Sequence, residues 1–385
     1  MGSKASRNTS IEALRLFAVA GIAIFHTFQW TFQAVCVGVA EYAPLAAFPY
    51  SGLLGIINLL GCWANEVFFM ISGFFLIPSA VRALQNGSSV LSLTRKSLAR
   101  LKKIVLPTLF YCAACLFVSM YVYPLPEISL HEIGWLTLGI EFIWVYAASV
   151  LLVPAIALAR QWLGNQKAPF AIALLVLITF GINCFIATTA NEVTGIVLWR
   201  KLMSAVTYLV AFIAAGEMRF VLERHDKTTA AKKSKLLLIG LIAATIAFEL
   251  LLSASNRYDA LWMLSYKSTS VISFILAAAS IAAAALHQPC HEASAPGRAI
   301  TSLAAGTLGF YAVQSFTCNV WRPVFNDAIY FTAAGVKTGI PNPMGALLLG
   351  IFISLCLALA LIIMDAVRRA VAGAIKAYAN TPKQP

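Results

Sequence analysis

Long apolar runs recur along the whole chain, and they limit its fold more than any other feature. About ten runs of roughly 20 apolar residues occur between residues 11 and 367, each long enough to cross a bilayer as a helix. Hydrophobic residues make up 60% of the chain and charged residues 11%, a balance that soluble domains do not normally show. Because hydrocarbon offers the backbone no hydrogen-bond partner, such runs must be helical. We predict an all-α polytopic membrane helix bundle of about ten transmembrane helices.

The predicted spans follow one another with only short polar connections. We place them at about residues 11–32, 53–78, 104–122, 136–158, 169–189, 195–216, 236–253, 267–286, 302–321 and 344–367. The first run is too long for a signal-peptide core, so we expect it to be retained as a span. No polar stretch is long enough for an appended soluble domain, and we predict one integral membrane domain over residues 1–385.

Positive charge is concentrated on alternate connections between the spans. The formal net charge is +13, and most of the 28 Lys and Arg residues fall on segments that are cytosolic if the N-terminus is cytosolic. This bias is what the positive-inside rule predicts for ten spans with both termini in the cytosol. Membrane topology therefore accounts for the charge, and we predict no nucleic-acid partner.

Polar residues interrupt the first apolar run on one helical face. Arg15 and His26 are eleven residues apart, close to three helical turns, which puts His26 about 16 Å further along the axis. We therefore expect both side chains to line one groove. Glu12 precedes Arg15 by three residues and can pair with it, as a boundary salt bridge or as a device that directs the guanidinium. Such groups are costly in hydrocarbon, and a histidine can act as a base near neutral pH, so the pattern indicates a functional site.

A basic segment, Arg95–Lys103, precedes Pro107 between the second and third spans. By itself such a segment is typical of a cytosolic flank or of contact with anionic membrane lipids. Its position on a short loop lets it fold toward the mouth where Arg15 lies. Arg100 and Lys103 are one helical turn apart, so both can bind the same phosphate-bearing ligand.

The second span carries a small pair, Ser72 and Gly73, inside the aromatic stretch Val67–Leu76. Small residues let another helix or a ligand approach closely. Glu66 and Glu141 are further carboxylates at membrane depth, and we expect each to face the interior of the bundle. Either one is a candidate to orient His26 or to contact an acceptor hydroxyl.

The cysteines predict neither a disulfide framework nor a metal site. Most of the 8 cysteines fall in predicted spans or cytosolic loops, where disulfides are not expected. Cys112 and Cys115 form a CxxC that helix packing explains. His287, Cys290 and His291 resemble metal ligands, but a fourth ligand is missing, so we predict no metal.

Three motifs together resemble the acyltransferase-3 family, the integral membrane O-acyltransferases of bacterial surface glycans. The first is Glu12-Ala13-Leu14-Arg15 followed by His26, and the second is the FFMISGF stretch at Phe68–Phe74. The third is the basic Arg100-Leu101-Lys102-Lys103 leading to Pro107. Their order and spacing agree with the family over about residues 7–110.

The likeness is thinner in the rest of the chain. Gly216 and the stretch Leu308–Tyr311 are similar to family patterns, and Glu141–Tyr146 matches a tryptophan-rich motif only loosely. Lys103 stands where the family's RxxR motif ends in arginine. This lysine keeps the positive charge but cannot form the bidentate hydrogen bonds of an arginine. Gln314 stands where many relatives have a histidine, so no second catalytic histidine is expected in the ninth span.

The resemblance implies a reaction and a set of site residues. An acyl-CoA, most often acetyl-CoA, enters from the cytosol, and its acyl group ends on a hydroxyl of a cell-surface or exported glycan or a lipid-linked sugar. The implied catalytic residues are His26, Arg15 and Glu12. The implied donor-binding residues are Arg100, Lys103, Arg15 and Ser72. The protein would lie in the bacterial cytoplasmic membrane, in contact with its lipids.

Two questions stay open at this level. His26 can act as a general base on the attacking hydroxyl, or it can carry the acyl group as a transient acyl-histidine. The alternative to an enzyme is a secondary transporter or exporter of a glycan or glycolipid, in which His26, Glu66 and Glu141 would form a proton path. Stabilisation of the protein by acetyl-CoA would distinguish the enzyme from the transporter.

Overall fold

The computed structural model describes residues 8–131, 134, 141–189, 199–264, 270–287 and 294–379. Every regular element in these ranges is helical, which confirms the all-α prediction. The α-helices are α1 (Thr9–Cys36), α2 (Ala43–Ala46), α3 (Tyr50–Gln85), α4 (Val90–Tyr121), α5 (Glu141–Thr189), α6 (Trp199–Glu223), α7 (Lys227–Ala254), α8 (Tyr258–Leu264), α9 (Val271–Leu286), α10 (Ala295–Ala304), α11 (Thr307–Phe316), α12 (Cys318–Ala334) and α13 (Pro343–Ala379), with a 3-10 turn at Ala40–Tyr42.

Seven of the helices in the described ranges are long and apolar enough to cross a membrane: α1, α3, α4, α5, α6, α7 and α13. A shorter apolar helix, α9, corresponds to the eighth predicted span. Helix α5 contains the fourth and fifth predicted spans and is broken at Gly164, whose φ of 69° and ψ of 178° lie outside the helical region. The structure is thus a polytopic membrane bundle, and the cytosolic location of both termini stays a prediction.

The ninth predicted span, 302–321, is not one continuous helix. Helix α10 ends at Ala304, α11 begins at Thr307, and α12 starts only after Thr317. Helix α11 has 10 residues and is therefore about 15 Å long, half the thickness of a bilayer core. Gly306 permits the break to pack closely, because a Cβ there would lie 3.1 Å from the Ile362 carbonyl oxygen of α13.

The basic segment Arg95–Lys103 is also different from its prediction as a loop. It is helical and belongs to α4, which begins at Val90 with Ser89 as its N-cap; the Ser89 hydroxyl accepts a hydrogen bond from the Ser92 amide. The connection from α3 is therefore very short. Because Arg100 and Lys103 lie on one rigid helix, their separation by a single turn is confirmed.

Helices α1 and α3 pack antiparallel at the centre of the bundle. Gly21 of α1 lies against Ala64 of α3, and Gly61 of α3 lies against the ring of Phe25. A Cβ on Gly61 would come within 2.1 Å of that ring, so the close approach requires glycine. We call the side of the bundle where α1 begins the proximal side, and the side where α1 ends the distal side.

The small pair on α3 admits a neighbouring helix, as the sequence predicted. Gly73 lies against the backbone of Phe212 in α6, and a Cβ on Gly73 would be 1.9 Å from the Phe212 carbonyl oxygen. Four residues later on each helix, Gly216 lies against Ile77. Helix α6 is therefore parallel to α3. Ser72, the other member of the pair, is directed toward α5, where its hydroxyl contacts Tyr146.

Candidate active site

A cavity of about 540 Å³ opens among α1, α3, α4, α5 and the break between α10 and α11. Its proximal part is polar and is lined by Glu12, Arg15 and Lys103. Arg15 Nη1 donates to Glu12 Oε2 at 2.7 Å, which confirms that the two side chains pair. The Arg15 side chain keeps 26% of its surface exposed, so it is directed by Glu12 and still accessible to a ligand.

A second cavity of about 300 Å³ adjoins the first. Arg100 and Lys103 of α4 line it together with Arg15 and Ser72. Lys103, Arg15 and Ser72 line the first cavity as well. Three basic side chains from two helices therefore line these adjoining cavities on the proximal side. The structure thus brings Arg15, Ser72, Arg100 and Lys103 together, although they are far apart in the sequence.

The wall deeper in the first cavity is aromatic. Tyr311 of α11 stacks on Phe142 of α5 with ring centroids 4.6 Å apart, and Phe68 of α3 meets Phe142 edge-on at 6.2 Å. The Tyr146 hydroxyl lies 2.8 Å from the Ser72 hydroxyl and joins α5 to α3 at this wall. The cavity therefore changes from a cationic mouth to a largely apolar interior with a few hydroxyl groups.

The break between α10 and α11 supplies another side of the cavity. Ala304 and Ala305 end the first helix at the wall, and Thr307 and Leu308 begin the second. The N-terminal end of α11 therefore faces the same space as Arg15. A helix N-terminus carries partial positive charge, so it reinforces the preference of this space for an anionic or electron-rich ligand.

His26 lies beyond the distal end of this cavity. Ile22, one helical turn before His26 on the same face of α1, forms part of the cavity wall, whereas His26 does not line either cavity. Ile22 and Phe310 are buried at 1% and 0% exposure and belong to the main apolar core. Arg15 therefore lines both of these cavities and His26 lines neither, and a groove shared by the two side chains stays a prediction.

The other polar residues considered in the sequence analysis differ in their burial. Glu66 is fully buried at 0% exposure, and neither of its carboxylate oxygens has a hydrogen-bond partner in the described part of the chain. Glu141 begins α5 and is exposed rather than buried, and it lies within electrostatic range of Tyr311 in the cavity wall. Gln314 is buried at 2% exposure in α11. Cys290 and His291 lie outside the described residues.

Sequence analysis missed an interaction that holds three helices around the cavity. Asp365 of α13, 2% exposed, accepts a hydrogen bond from Tyr111 of α4 at 2.5 Å and ion pairs from Arg368 and Arg369 at 2.9 Å each. It also lies directly against Gly309 of α11. The signal in the sequence was an aspartate three and four residues before two arginines, which we had assigned to topology alone.

A family model for an acyltransferase domain matches residues 8–363, nearly the whole chain. The chain belongs to the acyltransferase-3 family. No curated protein and no solved structure matches it. Together with the helical bundle, this makes the protein a multi-pass membrane acyltransferase, and it favours the enzyme over the transporter considered above. Among the described residues of this acyltransferase, no group of three or more His, Cys, Asp or Glu side chains is placed to hold a metal ion.

Proposed function

We propose that this membrane acyltransferase moves an acyl group, most simply acetyl, from acyl-CoA to a hydroxyl of a cell-surface or exported glycan. One observation carries the proposal. Arg15, Arg100 and Lys103 converge at the proximal mouth of a cavity whose deeper wall is aromatic. An acyl-CoA matches this arrangement: its phosphates suit the basic mouth, and its uncharged arm, which ends in a thioester, suits the aromatic interior.

The donor's phosphates would lie at the proximal mouth. Arginine and lysine form charge-assisted hydrogen bonds with phosphate oxygens, and three such side chains from α1 and α4 suit a ligand with several phosphates. The distribution of basic residues supports assigning the proximal side to the cytosol, where acyl-CoA is found. Lys103 would act as a point charge, while Arg100 and Arg15 can bind in a bidentate manner.

The pantetheine arm would follow α1 along the aromatic wall. His26 lies about 16 Å beyond Arg15 along the helix axis, a separation comparable to the length of that arm. Because Glu12 holds Arg15 at the mouth, we assign Arg15 to guiding the donor. Ile22, one helical turn before His26, lines the cavity, so the arm would pass this side chain on its way to the imidazole.

The chemical step would take place at His26. As a general base, its imidazole takes the proton of the acceptor hydroxyl, whose oxygen attacks the thioester carbonyl carbon. The carbon–sulfur bond breaks, and the proton passes to the leaving CoA thiolate. In the covalent alternative, an imidazole nitrogen attacks first and releases CoA, and the acceptor hydroxyl then attacks the acyl-imidazole. The acceptor reaches His26 from the distal side in both routes.

Two variants test the proposal in proteoliposomes that contain acetyl-CoA on the proximal side. His26→Ala should abolish acetyl transfer and retain thermal stabilisation by acetyl-CoA, because His26 lies beyond the donor cavity. Arg15→Ala should weaken both. Arg82→Ala is the matched control, since Arg82 pairs with Glu223 and does not line either cavity. Full transfer activity in His26→Ala would disprove the chemistry proposed here.

A mass measurement separates the two routes. In the covalent route, wild-type protein mixed with acetyl-CoA and no acceptor accumulates an acetyl group on the peptide that contains His26. In the general-base route this peptide keeps its unmodified mass. Comparison of surface glycans from cells with and without the gene then identifies the acceptor by its lost acyl groups.

A further inference from the structure

Arg322 of α12 is a cation without an ionic partner in the described part of the chain. Its guanidinium lies 5.9 Å from the ring of Trp30 and 5.7 Å from the ring of Trp321. Its Nε atom is buried and makes no hydrogen bond, and no described carboxylate pairs with it. A buried Nε without a hydrogen-bond partner is unusual, because buried polar groups are normally paired.

A second unpaired polar group lies on the same face of α12. Asn326 follows Arg322 by four residues, one helical turn, so the two side chains are neighbours. The Oδ1 atom of Asn326 is also buried and has no hydrogen-bond partner among the described residues. Buried polar groups are normally paired, so two unpaired groups side by side indicate a ligand that completes them. We call Trp30, Arg322 and Asn326 the distal cluster.

The distal cluster lies on the far side of His26 from the donor cavity. Trp30 follows His26 by four residues on α1, which places it about 6 Å further toward the distal side and on nearly the same face. Helix α12 directly follows α11, whose Phe310 and Tyr311 line the donor cavity. His26 therefore lies between the proposed donor cavity and the distal cluster.

The described part of the loop that follows α4 is anchored by hydrogen bonds and lies near the cluster. Cys318, one turn before Arg322, is within electrostatic range of both Arg322 and Glu127 of the connection between α4 and α5. Ser119 anchors the start of that connection, because its hydroxyl accepts a hydrogen bond from the Leu125 amide at 3.1 Å and donates one to the Ile128 carbonyl at 2.7 Å. The cluster therefore has a defined rim on the distal side.

We propose that the distal cluster binds the acceptor and selects a sugar that carries an anionic group. The inference rests on the proposed acyl transfer to a glycan and names the acceptor's chemistry. The guanidinium of Arg322 binds a carboxylate or phosphate, the Asn326 amide bonds to a hydroxyl, and the exposed indole of Trp30 packs against the sugar ring. A second hydroxyl of the same sugar is then directed toward His26.

Thermal stability of the purified protein in detergent tests the site without any acyl donor. Three glucose derivatives serve as probes: methyl β-glucuronide has a carboxylate at C6, glucose 1-phosphate has a phosphate at the anomeric position, and methyl β-glucoside is neutral. We expect at least one anionic sugar to stabilise the wild type at concentrations tenfold or more below those the neutral glucoside requires. The carboxylate and the phosphate probes distinguish the two sources of negative charge.

Variants of the cluster assign the effect to Arg322. Arg322→Gln should remove the preference for the anionic sugar, and Arg322→Lys should retain part of it. Asn326→Asp, which is nearly isosteric, should also remove the preference by placing a carboxylate beside Arg322. If Arg322→Gln does not fold, the Asn326→Asp variant still tests the proposal. Arg257→Gln is the control, because Arg257 is exposed, pairs with Asp259 and lies outside the cluster.

Two results overturn the inference. One is equal stabilisation, or none, by all three sugars in the wild type. The other is an unchanged preference in both Arg322→Gln and Asn326→Asp. Stabilisation by acetyl-CoA is measured in parallel on the same proteins. Its absence in the wild type would contradict the proposed donor, while a preference for the anionic sugar that depends on Arg322 would still support the distal site.

Discussion

The hydroxyl of Ser72 lies 2.8 Å from the phenolic oxygen of Tyr146, and both residues line both proximal cavities. Tyr146→Phe removes this hydrogen bond and keeps the ring. A hydrogen bond of this kind contributes about 1 kcal/mol, so we expect the KM for acyl-CoA to rise about fivefold, with kcat little changed. Steady-state kinetics at varied acetyl-CoA concentration measures the KM and kcat of both proteins. Tyr378→Phe, at a position 85% exposed in α13, is the control and should behave as the wild type.

Glu12→Gln tests whether the ion pair directs Arg15. The substitution keeps the size of the side chain and removes the negative charge, so Arg15 gains freedom at the mouth of the cavity. The pair is partly exposed, and a loss of about 0.5–1 kcal/mol corresponds to a rise of a few fold in the KM for acyl-CoA. The difference in KM between the wild type and Glu12→Gln should become smaller as the salt concentration is raised, because salt screens the ion pair. A kcat loss of a hundredfold with unchanged KM would instead place Glu12 in the chemical step.

Gly73→Ala tests the approach of α6 to α3. The added Cβ would meet the Phe212 carbonyl oxygen, which is backbone and cannot rotate away, so the two helices must separate. We expect little folded protein in the membrane, measured by size-exclusion chromatography after detergent extraction. Gly181→Ala is the matched control, because a Cβ there meets nothing within 4 Å. Normal yield of Gly73→Ala would show that α3 and α6 tolerate a wider spacing.

Asp365→Asn tests the interaction that joins α4, α11 and α13. The change leaves Arg368 and Arg369 without their buried carboxylate; since both arginines keep some solvent exposure, we expect a loss of about 2 kcal/mol. A fall of several degrees in the thermal unfolding midpoint would report it. Asp259→Asn, at an exposed ion pair, should leave the midpoint unchanged. An unchanged midpoint in Asp365→Asn would mean that packing alone holds these helices.

Local patterns were the parts that sequence reasoning predicted well. The apolar runs predicted a helical membrane bundle, because any other backbone would leave its hydrogen bonds unmet in hydrocarbon. The pairing of Glu12 with Arg15 and the one-turn separation of Arg100 from Lys103 depend only on helix periodicity. The glycine of the small pair Ser72–Gly73 was likewise confirmed as a point of close helix approach.

Contacts between distant segments were the parts that it did not predict. The bond between Ser72 and Tyr146 joins residues 74 apart, and the bond between Tyr111 and Asp365 joins residues 254 apart. At the break before α11, Gly306 lies close to the backbone of Ile362 in α13. None of these follows from helix periodicity, because each depends on which faces of different helices meet.

The sequence by itself determined that this chain is a membrane helix bundle of the acyltransferase-3 family and which local residue pairs share a face. The bundle follows from apolar run length and charge distribution, the shared faces follow from the 3.6-residue period of a helix, and the family follows from the match over residues 8–363. Only the tertiary structure decided that Arg15, Arg100 and Lys103 line adjoining cavities together with aromatic side chains of α3, α5 and α11. Helix packing determines which side chains enclose a cavity, and it depends on the shapes of all the contacting faces at once.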